Sequence, residues 1–138
     1  MDLALDFDKQ SFNGTCTITL TPVRDAIKTL ELNAVDLIIQ SVSIDKADTP
    51  FSYDGEVLRI DVSGLETPLA VGTAVKVAIV YHVDNPRRGL YFVGPTAAYP
   101  DKPVQVWTQG EDEDSRCWFP CFDYPGQLST SDLTVQVP

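Results

Sequence analysis

Residues 15–21 read Thr15-Cys16-Thr17-Ile18-Thr19-Leu20-Thr21, an unbroken alternation of apolar and hydroxyl side chains. Only a backbone with a period of two sends such neighbours to opposite faces. Cys16, Ile18 and Leu20 line one face and the four threonines the other, which describes a half-buried β-strand. Pro22 closes it, because proline has no N–H to give to a sheet.

The same period recurs on both sides of this strand. Leu3, Leu5 and Phe7 alternate with Ala4 and Asp6 in a first strand that ends near Asp8, and Asn13-Gly14 is expected to turn the chain into the second. Leu30, Leu32 and Ala34 mark a third strand. Leu37 to Ile44 follows, although Leu37-Ile38-Ile39 leaves its register open. Phe51 to Tyr53 and Glu56 to Val62 flank Asp54-Gly55, a two-residue hairpin signal resting on the tolerance of Asp and Gly for positive φ. Val75, Val77, Ile79, Tyr81 and Val83 form a long strand with Lys76 and His82 on its other face, where Ala78 and Val80 point to partial cover.

From Asp84 to Pro103 the breakers Asn85-Pro86, Gly89, Gly94-Pro95, Tyr99-Pro100 and Lys102-Pro103 predict a long functional loop or a wrapped segment. Leu133, Val135 and Val137 then form a terminal strand, as in a domain cut before its end. No segment holds a 3.6-residue period for three turns, and there are no repeats or low-complexity stretches. The expected fold is all-β, with antiparallel strands, in one domain spanning residues 1–138.

Composition narrows the function. The 138 residues are 43% hydrophobic and 22% charged, with 20 acids against 10 bases and a formal net charge of −10. A surface of that sign repels phosphate backbones and anionic membranes, so neither nucleic acid nor membrane is an expected partner. No apolar run approaches the roughly 20 residues that span a bilayer. Three cysteines without a secretory signal do not suggest a disulfide framework, and cytoplasm is the expected compartment. Cys117 and Cys121 on extended backbone would lie about 13 Å apart. With Cys16 and His82 they could complete a four-ligand zinc site if a turn gathered them, against buried thiols as the plainer reading.

Both tryptophans, two cysteines and a run of four acids crowd into Trp107-Thr108-Gln109-Gly110-Glu111-Asp112-Glu113-Asp114-Ser115-Arg116-Cys117-Trp118-Phe119-Pro120-Cys121-Phe122-Asp123-Tyr124-Pro125. If the backbone here is extended, Gln109 and Glu111 leave on one face, about 6 to 7 Å apart. A carboxylate beside a carboxamide suits a ligand with a positive amine next to an amide. The same Gln-x-Glu spacing is also common on solvated strands.

Thr108-Gln109-Gly110-Glu111, Ser115-Arg116 and Phe119-Pro120-Cys121-Phe122-Asp123-Tyr124-Pro125 resemble the Thr-Gln-x-Glu and Ala-Arg-x-x-Phe-Pro-Cys-x-Asp-x-Pro signature of zinc aminopeptidases of the aminopeptidase N family. Phe7-Asp8, Phe12-Asn13-Gly14, Leu32-Asn33-Ala34-Val35-Asp36-Leu37 and Gly89-Leu90-Tyr91 extend the resemblance along the chain, in the family's order. Ser115 stands where Ala is usual and Tyr124 where Glu is more common.

The resemblance implies a saddle-like or sandwich β-domain preceding a catalytic domain whose His-Glu-x-x-His helix binds zinc. That helix is not in this sequence, whose one histidine is His82, so the chain alone is expected to be inactive, with the zinc in the parent protein and none held here. By the same resemblance Glu111 pairs with the free α-amine of a peptide, and Gln109 lines the pocket for its first residue. Partners would then be a peptide N-terminus and the catalytic domain of the same parent chain. The resemblance further implies a non-proline cis peptide between Glu111 and Asp112. Arg116 and Asp123 are expected to support the loop as a pair or by bonding backbone carbonyls. Trp118, Phe119, Pro120, Cys121 and Phe122 are expected in the core, and Asp112, Glu113 and Asp114 in a solvated loop.

Two other readings compete. Aminopeptidase-like proteins that have lost their zinc act as scaffolds for protein–protein contacts, including a large subunit of the general transcription machinery. Such a scaffold has no use for a carboxylate at Glu111. A free-standing sandwich that binds carbohydrate or peptide is the third.

Overall fold

The computed structural model describes residues 1–126 and 128–138. The alternation seen in the sequence becomes eleven strands among the described residues: β1 Asp2–Asp6, β2 Ser11–Leu20, β3 Thr29–Asn33, β4 Ile38–Ile44, β5 Ala47–Asp48, β6 Phe51–Tyr53, β7 Val57–Asp61, β8 Val75–Asp84, β9 Leu90–Val93, β10 Gln105–Thr108 and β11 Thr134–Gln136. They form a six-stranded sheet in the order β11-β1-β2-β8-β4-β5, a three-stranded sheet β3-β7-β6 and the hairpin β10-β9. Every pairing is antiparallel except β1 with β11. The only helical element among the described residues is a 3-10 turn, Ser115–Cys117, so the fold is all-β. Among the described residues no helix is long and apolar enough to cross a membrane.

One core serves both larger sheets. The inward residues of β8, Val75, Val77, Ile79, Tyr81 and Val83, meet Phe12 and Cys16 of β2 together with Leu32, Leu58 and Ile60 of the smaller sheet. Leu58, Ile60, Val77, Ile79 and Tyr81 are fully buried, which is where the transfer of apolar area from water contributes most.

Asn13-Gly14 does not turn the chain. Both residues lie inside β2, where Gly14 pairs with Tyr81. A Cβ on Gly14 would fall 2.6 Å from Tyr81 Oη and 2.7 Å from its Cε1, so this glycine makes room for a buried ring. The turn comes earlier, between β1 and β2, where the Lys9 amide donates to Asp6 Oδ1 at 3.0 Å and Gln10 takes φ 51°. β1 accordingly ends at Asp6, and Phe7 instead sets its ring edge-on to Phe92.

The open register of Leu37-Ile38-Ile39 is decided by a bulge between Ile39 and Ser41. Ile39 pairs with Tyr81 and Val42 with Ile79, so two residues intervene where regular alternation allows one. Ile38 is thereby left half exposed while Leu37, Val42 and Ile44 are buried. At Asp54-Gly55 the turn is present, with Gly55 at φ 95°, but Asp54 to Val57 separate the paired Tyr53 and Leu58. Asp54 Oδ1 accepts from the amides of Glu56 and Val57 at 3.0 and 2.8 Å, which gives the loop its extra residues. The Asp84–Pro103 segment is not one loop: Leu90–Val93 is β9, with Leu90 buried and Phe92 packed on the core.

Candidate substrate-binding loop

The hairpin β9–β10 delivers the loop. Gln109 continues the ladder one bond beyond β10, its amide donating to Gly89 O at 2.9 Å. The chain then folds back through Gly110 to Asp114, whose amide donates to Gly110 O at 3.0 Å. The backbone at Glu111 is therefore a turn and not the extended run read from the sequence, and the Glu111–Asp112 peptide is cis, as the resemblance implies. Gln109 and Glu111 are still joined: Gln109 Oε1 accepts from the Glu111 amide at 3.2 Å. The Gln109 carboxamide nitrogen and the Glu111 carboxylate are left facing water, and both residues are exposed.

Glycines let the turn pack so closely. A side chain on Gly89, which sits at φ 76°, would collide with Asp114 O and lie 2.7 Å from Trp118 Cδ1; one on Gly110 would lie 2.5 Å from Ser115 Oγ. Arg88 on the neighbouring strand end pairs with Asp114. Among the described residues Glu111 and Asp112 make no ion pair, whereas Glu113 reaches Arg116 Nη2 at 3.1 Å.

Below the turn, the chain is clamped to the β3 end. Asp123 Oδ2 accepts from the Arg116 amide at 3.0 Å and from Arg116 Nε at 3.1 Å, while Arg116 Nη2 donates to Asp123 O at 3.0 Å. Burial works against the Arg116 cation, but Asp123 and Glu113 more than reverse this and hold it protonated. Asn33 exchanges backbone bonds with Cys121, at 2.7 and 3.0 Å, and its Oδ1 accepts from the Asp123 amide at 3.1 Å. Val35 donates to Arg116 O at 2.8 Å. The Leu32–Leu37 and Arg116–Asp123 segments, separate in sequence, are thus one mechanical unit. Asn33, Gly89 and Arg88 were not singled out by chemistry in the sequence. Asn33 was visible as a member of a family-like run, Gly89 as a chain breaker and a member of another such run, and Arg88 by no functional signal.

Trp118 and Pro120 are buried, Phe119 and Cys121 partly so. Phe122 departs from the expected core position: it is 59% exposed, next to an equally exposed Tyr124, because the Asp123 clamp turns its neighbours outward. Cys16, Cys117 and Cys121 are free thiols. Burial pushes Cys16 up to about 11 and Cys121 up to about 12, so neither is a nucleophile near neutral pH. Cys16 Sγ donates to Pro120 O at 3.5 Å, and His82 lies between Asn13 and Asp84. Among the described residues no group of three His, Cys, Asp or Glu side chains is placed to hold a metal ion, so the Cys16, Cys117, Cys121 and His82 set does not form a zinc site.

Known proteins share both sequence and fold. The profile of the peptidase M1 N-terminal domain matches residues 1–138. A leukotriene A-4 hydrolase homolog of Botryotinia fuckeliana is 30% identical, over 99% of this chain and 22% of its own length. Probable aminopeptidase 1 of Saccharolobus solfataricus is 32% identical, over 99% and 16%. Transcription initiation factor TFIID subunit 2 of Danio rerio is 23% identical, over 96% and 14%. Among solved structures, leukotriene A4 hydrolase of Saccharomyces cerevisiae superposes with a TM-score of 0.75 at 22% identity, over all of this chain and 23% of that one. An M1 zinc metallopeptidase of Deinococcus radiodurans gives 0.70 at 15%, over 97% and 30%. The chain spans 14% to 22% of the length of these curated relatives. With its full length matched, and its all-β fold shared with these enzymes, the chain belongs to the peptidase M1 N-terminal domain family.

Proposed function

We propose that this chain is the N-terminal domain of a zinc-dependent aminopeptidase and supplies one wall of its substrate site, without catalysing the reaction alone. The observation that carries this reading is Glu111: an exposed carboxylate without an ion pair among the described residues, on a turn held from both sides by Gln109 and the Arg116–Asp123 clamp. A free carboxylate carried on a held backbone pairs with the α-amine of a peptide, and Gln109 beside it offers carboxamide N–H groups to the first carbonyl. Anchoring the amine limits the bond presented for cleavage to the first one, which is positioning, not chemistry. Zinc, held by the remainder of the parent chain, would supply Lewis-acid and water-activating chemistry.

A charge-assisted hydrogen bond contributes about 1.5 to 3 kcal/mol net, or roughly 10- to 150-fold. In the parent enzyme Glu111→Ala is expected to lower kcat/KM by at least about tenfold, with zinc content unchanged. An unaltered kcat/KM removes Glu111 from the site.

The relative named as a TFIID subunit favours a second reading, in which the fold serves as a scaffold for protein partners and needs no amine site. The sequence of the parent beyond Pro138 separates the two. A His-Glu-x-x-His with a later Glu supports the peptidase, and its absence there supports the scaffold. Three free thiols, two of them buried, support a reducing cytoplasmic compartment for the parent, a placement that cell fractionation checks.

A further inference from the structure

The β9–β10 hairpin has two unlike faces. Phe92 and Val106 pair across it and pack on the core, and Leu90, opposite Thr108, is buried on that same side. Alternation therefore sends Tyr91 and Trp107 outward, and Gln109 with them, because the ladder continues through its bond to Gly89 O. On this outer face the Tyr91 and Trp107 rings stack, with centroids 4.3 Å apart and planes 17° from parallel. Trp107 is nonetheless 47% exposed. An indole held flat by its neighbour and open on its other side is a pre-formed π surface, and Gln109 follows it by one pleat, about 6 to 7 Å along the strand.

Charge says what would settle there. Arg88 is paired with Asp114 and Arg116 with Asp123 and Glu113; of the groups without an ion pair among the described residues, the acids Glu111 and Asp112 outnumber the one neighbouring arginine, Arg87. The surroundings are thus acidic, within a chain of net charge −10.

Building on the amine-binding reading of Glu111, we propose that the Tyr91–Trp107 stack is the floor that receives the first side chain of the peptide. It selects planar groups, guanidinium ahead of aromatic ring, over small aliphatic ones. A cation over the face of a tryptophan is favoured by the ring quadrupole, and arginine does this most often.

The test uses the full-length parent enzyme with the 7-amido-4-methylcoumarin derivatives of Arg, Phe and Ala. Trp107→Leu keeps apolar bulk and removes the π face; Trp107→Phe restores a ring. With Trp107→Leu, kcat/KM is expected to fall about 3- to 30-fold on the Arg and Phe substrates and less than about twofold on Ala. Trp107→Phe should recover most of that loss. Equal losses on all three substrates, or none on any, overturn the proposal and make the stack a packing surface for the rest of the parent. Glu111→Ala measured alongside tells the two ideas apart, since a uniform loss there leaves the amine reading standing when the Trp107 result fails. A parent that hydrolyses none of the three overturns both.

Discussion

Replacing Asp123 by alanine tests whether the loop is held as described. The Asp123 side chain is 11% exposed, and its carboxylate accepts two hydrogen bonds from Arg116, at 3.0 and 3.1 Å. Breaking a buried pair by removing one partner costs about 3 to 5 kcal/mol when the other charge is stranded. Arg116 is not stranded, since its Nη2 still reaches Asp123 O at 3.0 Å and Glu113 at 3.1 Å, and its side chain is 22% exposed. The Glu113 contact is largely solvated and recovers under about 1 kcal/mol. A loss of about 2 to 3 kcal/mol is therefore expected. In urea unfolding followed by tryptophan fluorescence, a slope of about 1.5 kcal/mol per molar places the midpoint about 1.5 M lower. Asp123→Asn, which keeps the shape and one acceptor, should lose about half as much. Arg116→Ala and the double variant complete a cycle whose coupling is expected to exceed about 1 kcal/mol. Additive losses, or a midpoint shift below about 0.4 M for Asp123→Ala, refute the clamp. Because Arg116 of the clamp also pairs with Glu113 in the turn, the variant should also speed amide hydrogen exchange at Asp114, whose N–H closes that turn.

Three further outcomes follow from the same geometry. Gly14→Ala drives a methyl into the buried Tyr81 ring and should lower Tm by about 5 °C or more, overpacking costing about 1 to 3 kcal/mol; an unchanged Tm shows that the ring yields freely. Asp54 has its carboxyl held well below its ordinary 3.8, first by the Arg59 hydrogen bond and then by the Val57 and Glu56 amides. A depressed folded value stabilises above the unfolded one, so the advantage of wild type over Asp54→Asn should be level at neutral pH and shrink only as pH falls below about 4. A difference that instead changes between pH 6 and 8 contradicts this. For Cys16, lifted from 9.0 to about 11 by burial, the sign is opposite: its contribution is full below 9 and lost as pH rises toward 11. Cys16 and Cys121 should accordingly resist a disulfide-exchange reagent at pH 8 until urea unfolds the chain, and rapid native labelling of both would show them to be accessible.

Where an element is governed by its own residues, the sequence was enough to read it. The 15–21 alternation, the inward set of β8 and the Asp54-Gly55 turn are local features; the first two stand where periodicity placed them, and the turn stands at its place with a loop longer than the two residues its signal implied. Errors arose where a distant contact overrode a local preference. Asn13-Gly14 carries the chemistry of a turn, yet Tyr81, far along the chain, fills the space a side chain would need, so the glycine serves packing within a strand. β9 was hidden because four residues between Gly89 and Gly94 carry too little pattern to oppose the surrounding prolines; its stability comes from β10 and from the core beneath Leu90 and Phe92.

The candidate site divides the same way. Gln109, Glu111, Arg116 and Asp123 could be named from residue type and family resemblance, because a carboxylate, a carboxamide and a guanidinium carry their chemistry with them. Their arrangement could not. The turn at Glu111, the bond from its amide to Gln109, the part played by Asn33 and the exposure of Trp107 depend on which backbone groups are left unpaired when β3, β9 and β10 come together. Sequence by itself determined the all-β class and the chemical inventory of the loop, since both follow from side-chain type and spacing. The tertiary structure alone decided which groups are satisfied internally and which remain free for a ligand, since that depends on partners tens of residues away.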